Sequence, residues 1–267
     1  MNETNDLRAG DVLDLFRSIS ERTADLVAAN LDWSESGERV GQYAVDLGVD
    51  EVCLEILHDA GWAVLSEESG ITGADGSSLA APPNAIVVVD PLDGSTNAAL
   101  GLPWCATSLC LVVDGVPTVA HVVNLRTGAR YEAVAGEGAT SDGGPISVDA
   151  GDGQRGVVLA DAIVAVNARP PASFVPRQFR AMGSTALDVA SVAAPGGFDG
   201  YVDFDDEMIG VWDYLAAMLI VVEAGGVVAD ALGRDLVTLD PTERRRPVAA
   251  RSARLLDELL VAAKVDR

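Results

Sequence analysis

The residues best placed to do chemistry are Asp90-Pro-Leu-Asp93-Gly94-Ser95-Thr96-Asn97. They follow an apolar, β-branched run, Ala85-Ile-Val-Val-Val89, so two carboxylates stand where a buried strand ends. Such a place suits a hard cation, because magnesium takes carboxylate and carbonyl oxygens in octahedral array and keeps several waters. Asp90, the Leu92 carbonyl and Asp93 are the candidate ligands, with open positions left for a phosphate. Gly94, Ser95 and Thr96 offer backbone N–H groups, and a helix starting there adds the attraction of its dipole for an anion.

Two further acidic segments sit at element ends. Glu67-Glu68 follows the short apolar Trp62-Ala-Val-Leu65, and Trp212-Asp213 opens the run Tyr214 to Val222, which Glu223-Ala-Gly-Gly226 closes. Each block alone has an ordinary explanation: Asp-Gly makes turns, Glu-Glu is a solvated surface, and Trp-Asp caps a core helix. Together, Ser66-Glu67-Glu68-Ser69-Gly70, Asp90 to Asn97, and Trp212-Asp213 with Glu223 to Gly226 are another matter. In order and spacing they resemble the inositol monophosphatase family of magnesium-dependent, lithium-sensitive phosphatases, over nearly the whole chain.

The resemblance implies two magnesium ions, or three if an outer one binds. Glu67, Asp90 and the Leu92 carbonyl match the ligands of the first, and Asp90, Asp93 and Asp213 those of the second, with Asp90 bridging. Glu67, Asp93 and Ser95 match the catalytic positions; Ser95, where the family usually has Thr, would orient the attacking water with Glu67. By the same matching, Gly94, Ser95 and Thr96 meet the phosphate, while Gly183, Ser184, Thr185 and Asp206 meet the alcohol. Asp50 falls near a family aspartate that steadies the outer ion or its waters. Gly210 stands where Lys or His is common, Asp206 where Glu is usual, and Ala98 where an aromatic residue is usual. These departures touch the substrate side and leave the metal set whole.

The implied reaction is hydrolysis of a small phosphorylated polyol by direct water attack, with inositol 1-phosphate as the first substrate. Histidinol phosphate, fructose 1,6-bisphosphate and 3′-phosphoadenosine 5′-phosphate are the alternatives within the superfamily. A non-catalytic metal- or partner-binding protein on the same fold is the alternative of another class. Against it stands the full set Glu67, Asp90, Asp93, Ser95 and Asp213. Related enzymes are commonly dimers, so a homodimer is expected.

Composition narrows the field further. A net charge of −23 over 267 residues disfavours nucleic acid and acidic membranes as partners, since phosphates are repelled except beside a bound cation. Cys53, Cys105 and Cys110 are odd in number and form no CxxC pair, which argues for buried thiols in a reducing compartment over disulfides or zinc. The first residues lack the basic and apolar regions of a signal peptide, and no apolar stretch reaches membrane-spanning length, so a cytoplasmic protein is expected.

The elements that must position these groups are legible from periodicity. Leu13, Phe16, Ile19, Ala24, Val27 and Ala28 recur at helical spacing, and Val52, Ile56 and Leu57 suggest a second helix from near Asp50, after a polar loop from Asp32 to Gly41. Strands are expected at Ala63–Leu65 and Ala85–Val89, then in a meander over Thr107–Val113, Thr118–Val123 and Ala129–Ala135. The Gly- and Asp-rich stretch Ser141 to Gln154 divides residues 1–140, an α+β half with the metal motifs, from residues 141–267, an α/β half that completes the site. In the second half strands are expected at Val157–Val166, Tyr201–Val202 and Val227–Ala229, and helices at Ser184–Ala194, Trp212–Glu223 and Leu255–Ala263. His58 in a predicted helix and His121 in a predicted strand have packing roles. The mixture is an α/β or α+β protein, and the resemblance implies a layered αβαβα sandwich like those of inositol monophosphatase and fructose-1,6-bisphosphatase.

Overall fold

A computed structural model of the chain describes residues 8–30, 33–37, 42–148, 157–205 and 209–264. The helically spaced Val12, Phe16, Ile19 and Val27 form one buried stripe of α1 (Ala9–Ala29). The next helix, α2 (Ala44–Asp59), begins earlier than the expected Asp50. The Asp46 carboxylate accepts from the Tyr43 N–H at 2.8 Å and caps a first turn, Ala44 to Leu47, whose buried residue is Asp46 and not one of its apolar neighbours. Of the expected loop from Asp32 to Gly41, only residues 33–37 are described.

Strands β1 (Val64–Ser66), β2 (Gly70–Thr72) and β3 (Ala85–Asp93) come next, then the short α3 (Ser95–Ala99). The meander follows as β4 (Ala106–Val113), β5 (Val116–Asn124), β6 (Arg130–Val134), β7 (Gly138–Ser141) and β8 (Gly144–Ile146). They make one sheet in the order β2-β1-β3-β4-β5-β6-β7-β8, antiparallel except where β1 meets β3.

The second sheet contains β9 (Ile163–Asn167) and β10 (Gln178–Arg180), followed by α4 (Thr185–Ala193), β11 (Gly200–Asp203) and α5 (Val211–Glu223). It is completed by β12 (Val227–Asp230) and β13 (Pro247–Ala250) in the order β10-β9-β11-β13-β12, with α6 (Ala253–Ala263) last. The strand expected over Val157–Val166 starts only at Ile163, because Leu159–Asp161 is a 3-10 turn. That turn is pinned by the Leu159 N–H donating to Glu258 of α6 at 2.6 Å.

Strand alternation decides the layering. Along β3, Val87 and Val89 pack with Phe16 and Ile19 of α1 and Leu57 of α2, whereas Ile86 and Val88 pack with Leu187 of α4 and Leu215 of α5. The same central cluster takes in Ala165, Tyr201 and Ala249 from one face of the second sheet. Val164, Val166, Val202 and Val248 on its other face pack with Leu255 and Leu259 of α6. The result is α1–α2, sheet, α4–α5, sheet, α6: the αβαβα sandwich. Since α4 and α5 are covered on both sides, all of Thr185–Ala193 is buried and α5 shows no polar stripe.

At its C-terminus α5 ends as Gly225-Gly226 suggests: the Gly225 N–H bonds the Val222 carbonyl at 2.9 Å and the Gly226 N–H the Val221 carbonyl at 2.8 Å. Glu223 accepts from the N–H groups of Gly136 and Gly138 and ties the β6–β7 turn to this helix end.

Neither histidine faces the acidic site. His58 contacts the Thr72 hydroxyl at 3.0 Å. His121 is wholly buried, 2.9 Å from the Ser20 hydroxyl and 3.0 Å from Glu132, which Arg17 clasps with two hydrogen bonds of 2.8 and 2.7 Å. Burial raises the Glu132 carboxyl, but hydrogen bonds from His121 and Arg17 overcome it and bring the group down to about 2. A depressed carboxyl contributes stability above its unfolded pKa and loses it as pH falls through the folded value. Glu132→Gln should therefore cost about 2–4 kcal/mol near neutral pH, and the deficit should shrink as pH falls from about 5 toward 2. Urea midpoints across that range provide the check; a deficit independent of pH would exclude the ionised network.

Candidate active site

Asp90 and Asp93 are three apart on one strand, so regular alternation would send their side chains to opposite faces. A bulge prevents this. Opposite β4, Asp90 pairs with Ser108 and Asp93 with Ala106, so β3 carries one extra residue between them. Pro91 lies in the bulge, where its missing N–H costs no ladder bond. The bulge is held by the Thr107 hydroxyl donating to the Pro91 carbonyl at 2.8 Å and by the Leu92 N–H donating to Asp90 Oδ1 at 3.0 Å. Leu92 is buried against Val27, Val49, Ala98 and Cys105.

Three elements then deliver three carboxylates to one point. Glu67 stands in the turn between β1 and β2, Asp90 at the bulge of β3, and Asp213 in the first turn of α5, with one oxygen of each within 4.8 Å of the others. Each is anchored from its own side. Asp50 accepts hydrogen bonds from the hydroxyls of Ser66 and Ser69, which flank the Glu67-Glu68 turn. Asp213 Oδ2 accepts from the Gly210 N–H at 2.7 Å, and the Ser108 hydroxyl donates to the Trp212 carbonyl at 3.0 Å. Asp93 lies beside the trio against α4, where its Oδ2 accepts from the Ser184 hydroxyl at 2.6 Å and the Ala186 N–H at 2.7 Å.

The electrostatics call for a cation. Burial, then repulsion from Glu67, Asp93 and Asp213, holds the Asp90 carboxyl well above its ordinary range. Burial and the negative charges of Glu67 and Asp93 do the same to Asp213. Burial raises Asp93 to about 6 despite its hydrogen bonds from Ser184 and Ala186. Asp90 Oδ2 is buried with no hydrogen-bond partner, which a native protein rarely tolerates. An orphaned carboxylate oxygen among three converging carboxylates fits a hard, oxygen-seeking divalent ion.

The remaining expected residues fall around this point. Gly94 takes a left-handed φ of +85° as the chain turns from β3 into α3, with Ser95 and Thr96 in its first turn. The Ser95 hydroxyl forms no hydrogen bond to another described residue. Gly183 also has a left-handed φ, of +84°, and leads into α4; Ser184 caps that helix, and the Thr185 hydroxyl lies 3.4 Å from that of Tyr201. Asp206 lies outside the described residues. Gly210, where the resemblance would put a basic residue, has a local reason: a Cβ there would stand 2.3 Å from the Trp212 ring. Arg244 covers that ring, 5.1 Å from its centre. Thr107 and Ser108 carry no sequence signal, being hydroxyls within a strand that is otherwise apolar, and Ser184, expected at the alcohol, is found bonded to Asp93.

A raised carboxyl binds more protons folded than unfolded, so its cost is absent below the unfolded pKa and grows as pH rises through the folded one. In chelator, Asp90→Asn should be more stable than wild type near pH 7.5, by about 1–3 kcal/mol, and the gap should close toward pH 4.5. Adding a divalent cation should raise the wild-type melting temperature and leave the variant nearly unmoved. Equal cation responses in both proteins would remove Asp90 from the site.

Known proteins share this arrangement of chain. Residues 30–266 match the model of the inositol monophosphatase family. The fructose-1,6-bisphosphatase/inositol-1-monophosphatase of Methanothermobacter thermautotrophicus is 32% identical over 235 residues, 83% of this chain and 82% of the relative. An inositol monophosphatase of Mesembryanthemum crystallinum is 29% identical over 264 residues, covering 92% and 93%. The Nus factor SuhB of Pasteurella multocida is 32% identical over 200 residues, 71% of each chain. Among solved structures, the extragenic suppressor protein suhB from Bartonella henselae superposes with a TM-score of 0.77 at 23% identity, covering 96% of this chain and 99% of that one. The Thermotoga maritima IMPase does so at 0.76 and 22%, covering 95% and 96%. A match over most of its length, with an acidic cluster where three elements converge, makes this chain a member of the inositol monophosphatase family of metal-dependent phosphatases.

Proposed function

We propose that the protein is a magnesium-dependent phosphomonoesterase of small phosphorylated polyols, with inositol 1-phosphate as its first candidate substrate. The observation that carries this reading is the convergence of Glu67, Asp90 and Asp213 around the unpartnered Asp90 Oδ2. Two magnesium ions, or three with one near Asp50, would neutralise phosphoryl oxygens, supply hydroxide near neutral pH and stabilise the leaving alkoxide. Glu67, Asp90 and the Leu92 carbonyl would hold one ion, and Asp90, Asp93 and Asp213 another.

The protein's own groups do the rest. The Ser95 hydroxyl, free of other described partners, can hydrogen-bond a water and direct its lone pair in line with the phosphorus, with Glu67 accepting the proton. First-turn N–H groups of α3, at Ser95 and Thr96, lack intrahelical acceptors and suit phosphoryl oxygens, with Gly94 allowing close approach. Gly183, Ser184 and Thr185, at the entry to α4, would meet the alcohol, and Asp206, outside the described residues, is assigned the same role by the family match alone. With relatives named for both inositol monophosphatase and fructose-1,6-bisphosphatase, fructose 1,6-bisphosphate is the second substrate to try, followed by histidinol phosphate and 3′-phosphoadenosine 5′-phosphate. A cytoplasmic, lithium-inhibited homodimer completes the reading.

Phosphate release from this panel, with magnesium and with EDTA, is expected to show turnover on at least one polyol phosphate that EDTA abolishes. Asp213→Asn should lower kcat roughly a hundredfold or more with the fold retained, and Ser95→Ala should lower kcat more than it raises KM. Silence of the purified protein across the panel would favour a non-catalytic metal-binding role, and a pure KM effect in Ser95→Ala would take the water away from Ser95.

A further inference from the structure

Asn97 is buried in the middle of α3, 9% exposed, and its side chain reaches out of the helix. Its Nδ2 donates to the Trp104 carbonyl and to the Met182 carbonyl, each at 2.7 Å. Two carbonyl acceptors settle which way the amide faces, because its oxygen could bond neither. Trp104 precedes β4, and Met182 precedes Gly183 and Ser184 at the entry to α4. One amide nitrogen therefore ties α3 and the segment that follows it to the entry of α4, which is remote in sequence.

The surroundings are built for that contact. A Cβ on Gly183 would stand 3.1 Å from Asn97 Nδ2, and one on Gly94 would stand 2.9 Å from the Gly183 carbonyl and 3.1 Å from that of Trp104. A second strut joins the same parts: the Trp104 indole N–H donates at 2.9 Å to Asp188, which is buried one turn into α4. A helix of five residues has no stability of its own, so such tethers decide where Ser95 and Thr96 stand relative to Gly183–Thr185.

We infer that Asn97 is a positioning residue that sets the spacing between the phosphate-facing segment, Gly94–Thr96, and the alcohol-facing segment, Gly183–Thr185, and so governs which phosphorylated alcohols are accepted. This rests on the phosphatase reading for the identity of the two segments, though the tether itself does not.

Asn97→Asp is isosteric and sets an acceptor against two carbonyl oxygens; Asn97→Ser retains one shorter donor and is the milder variant should the first fold poorly. Backbone amide exchange, which needs no turnover, should quicken roughly tenfold in residues 94–104 and 181–187 together, and more for Asp than for Ser, with residues 85–89 unchanged. Magnesium affinity by calorimetry should fall severalfold less than kcat/KM for inositol 1-phosphate, because of the four carboxylates only Asp93 is held from the loosened segment, through Ser184 and Ala186. The loss in kcat/KM should be roughly tenfold greater for inositol 1-phosphate, whose ring must meet Gly183–Thr185, than for p-nitrophenyl phosphate. Exchange that quickens in only one segment or in neither, loss of magnesium affinity in step with activity, or an equal loss on both substrates would each overturn the inference. If the wild type turns over neither substrate, the phosphatase reading fails and amide exchange alone decides the tether.

Discussion

Three carboxylates with oxygens inside 4.8 Å of one another, in a chain already carrying −23, repel one another, and the rest of the site is arranged to hold them there. Their anchors are hydrogen bonds that ask nothing of a metal. Asp50 secures the serines around the Glu67 turn, the Leu92 N–H secures Asp90, and the Gly210 N–H secures Asp213. The repulsion is thus carried by backbone and hydroxyl donors, and one oxygen of Asp90 is left unmatched for a cation. Carboxylates locked in this way would need little rearrangement to take an ion, which is what precise coordination requires.

The sandwich serves this point. Because α4 and α5 are pressed between two sheets, their first turns cannot drift, and both are used: α5 presents Asp213, and α4 binds Asp93 through Ser184 and Ala186. The β3 bulge does the corresponding work on the sheet side by turning Asp90 and Asp93 toward the same region. Small residues permit the close approaches. Gly226 would meet Val221 and the Ala250 carbonyl if it carried a side chain, and Gly210 makes room for the Trp212 ring.

The carboxylates that converge were legible because acidic side chains that end apolar runs are unusual, and three such endings in fixed order are specific. Most elements were legible from periodicity, including the meander and the helices around Leu187 and Leu215. The start of α2 was not, since it is set by the Asp46 cap and not by apolar spacing. Short strands such as β2, β8 and β10 have no pattern long enough to read; they exist because a neighbour offers a ladder.

Local pattern and composition establish which acidic groups end the apolar runs, their order along the chain, the buried character of the strands and helices that carry them, and the charge that disfavours anionic partners. The packing of the chain in three dimensions sets which face each carboxylate takes, because a one-residue bulge reverses alternation without altering composition. It also decided that Asp50 and Ser184 bond the supports of the site, and that one amide of Asn97 joins segments more than eighty residues apart. Such contacts depend on the three-dimensional approach of remote backbone carbonyls and hydroxyls, and no local pattern of side chains encodes that distance.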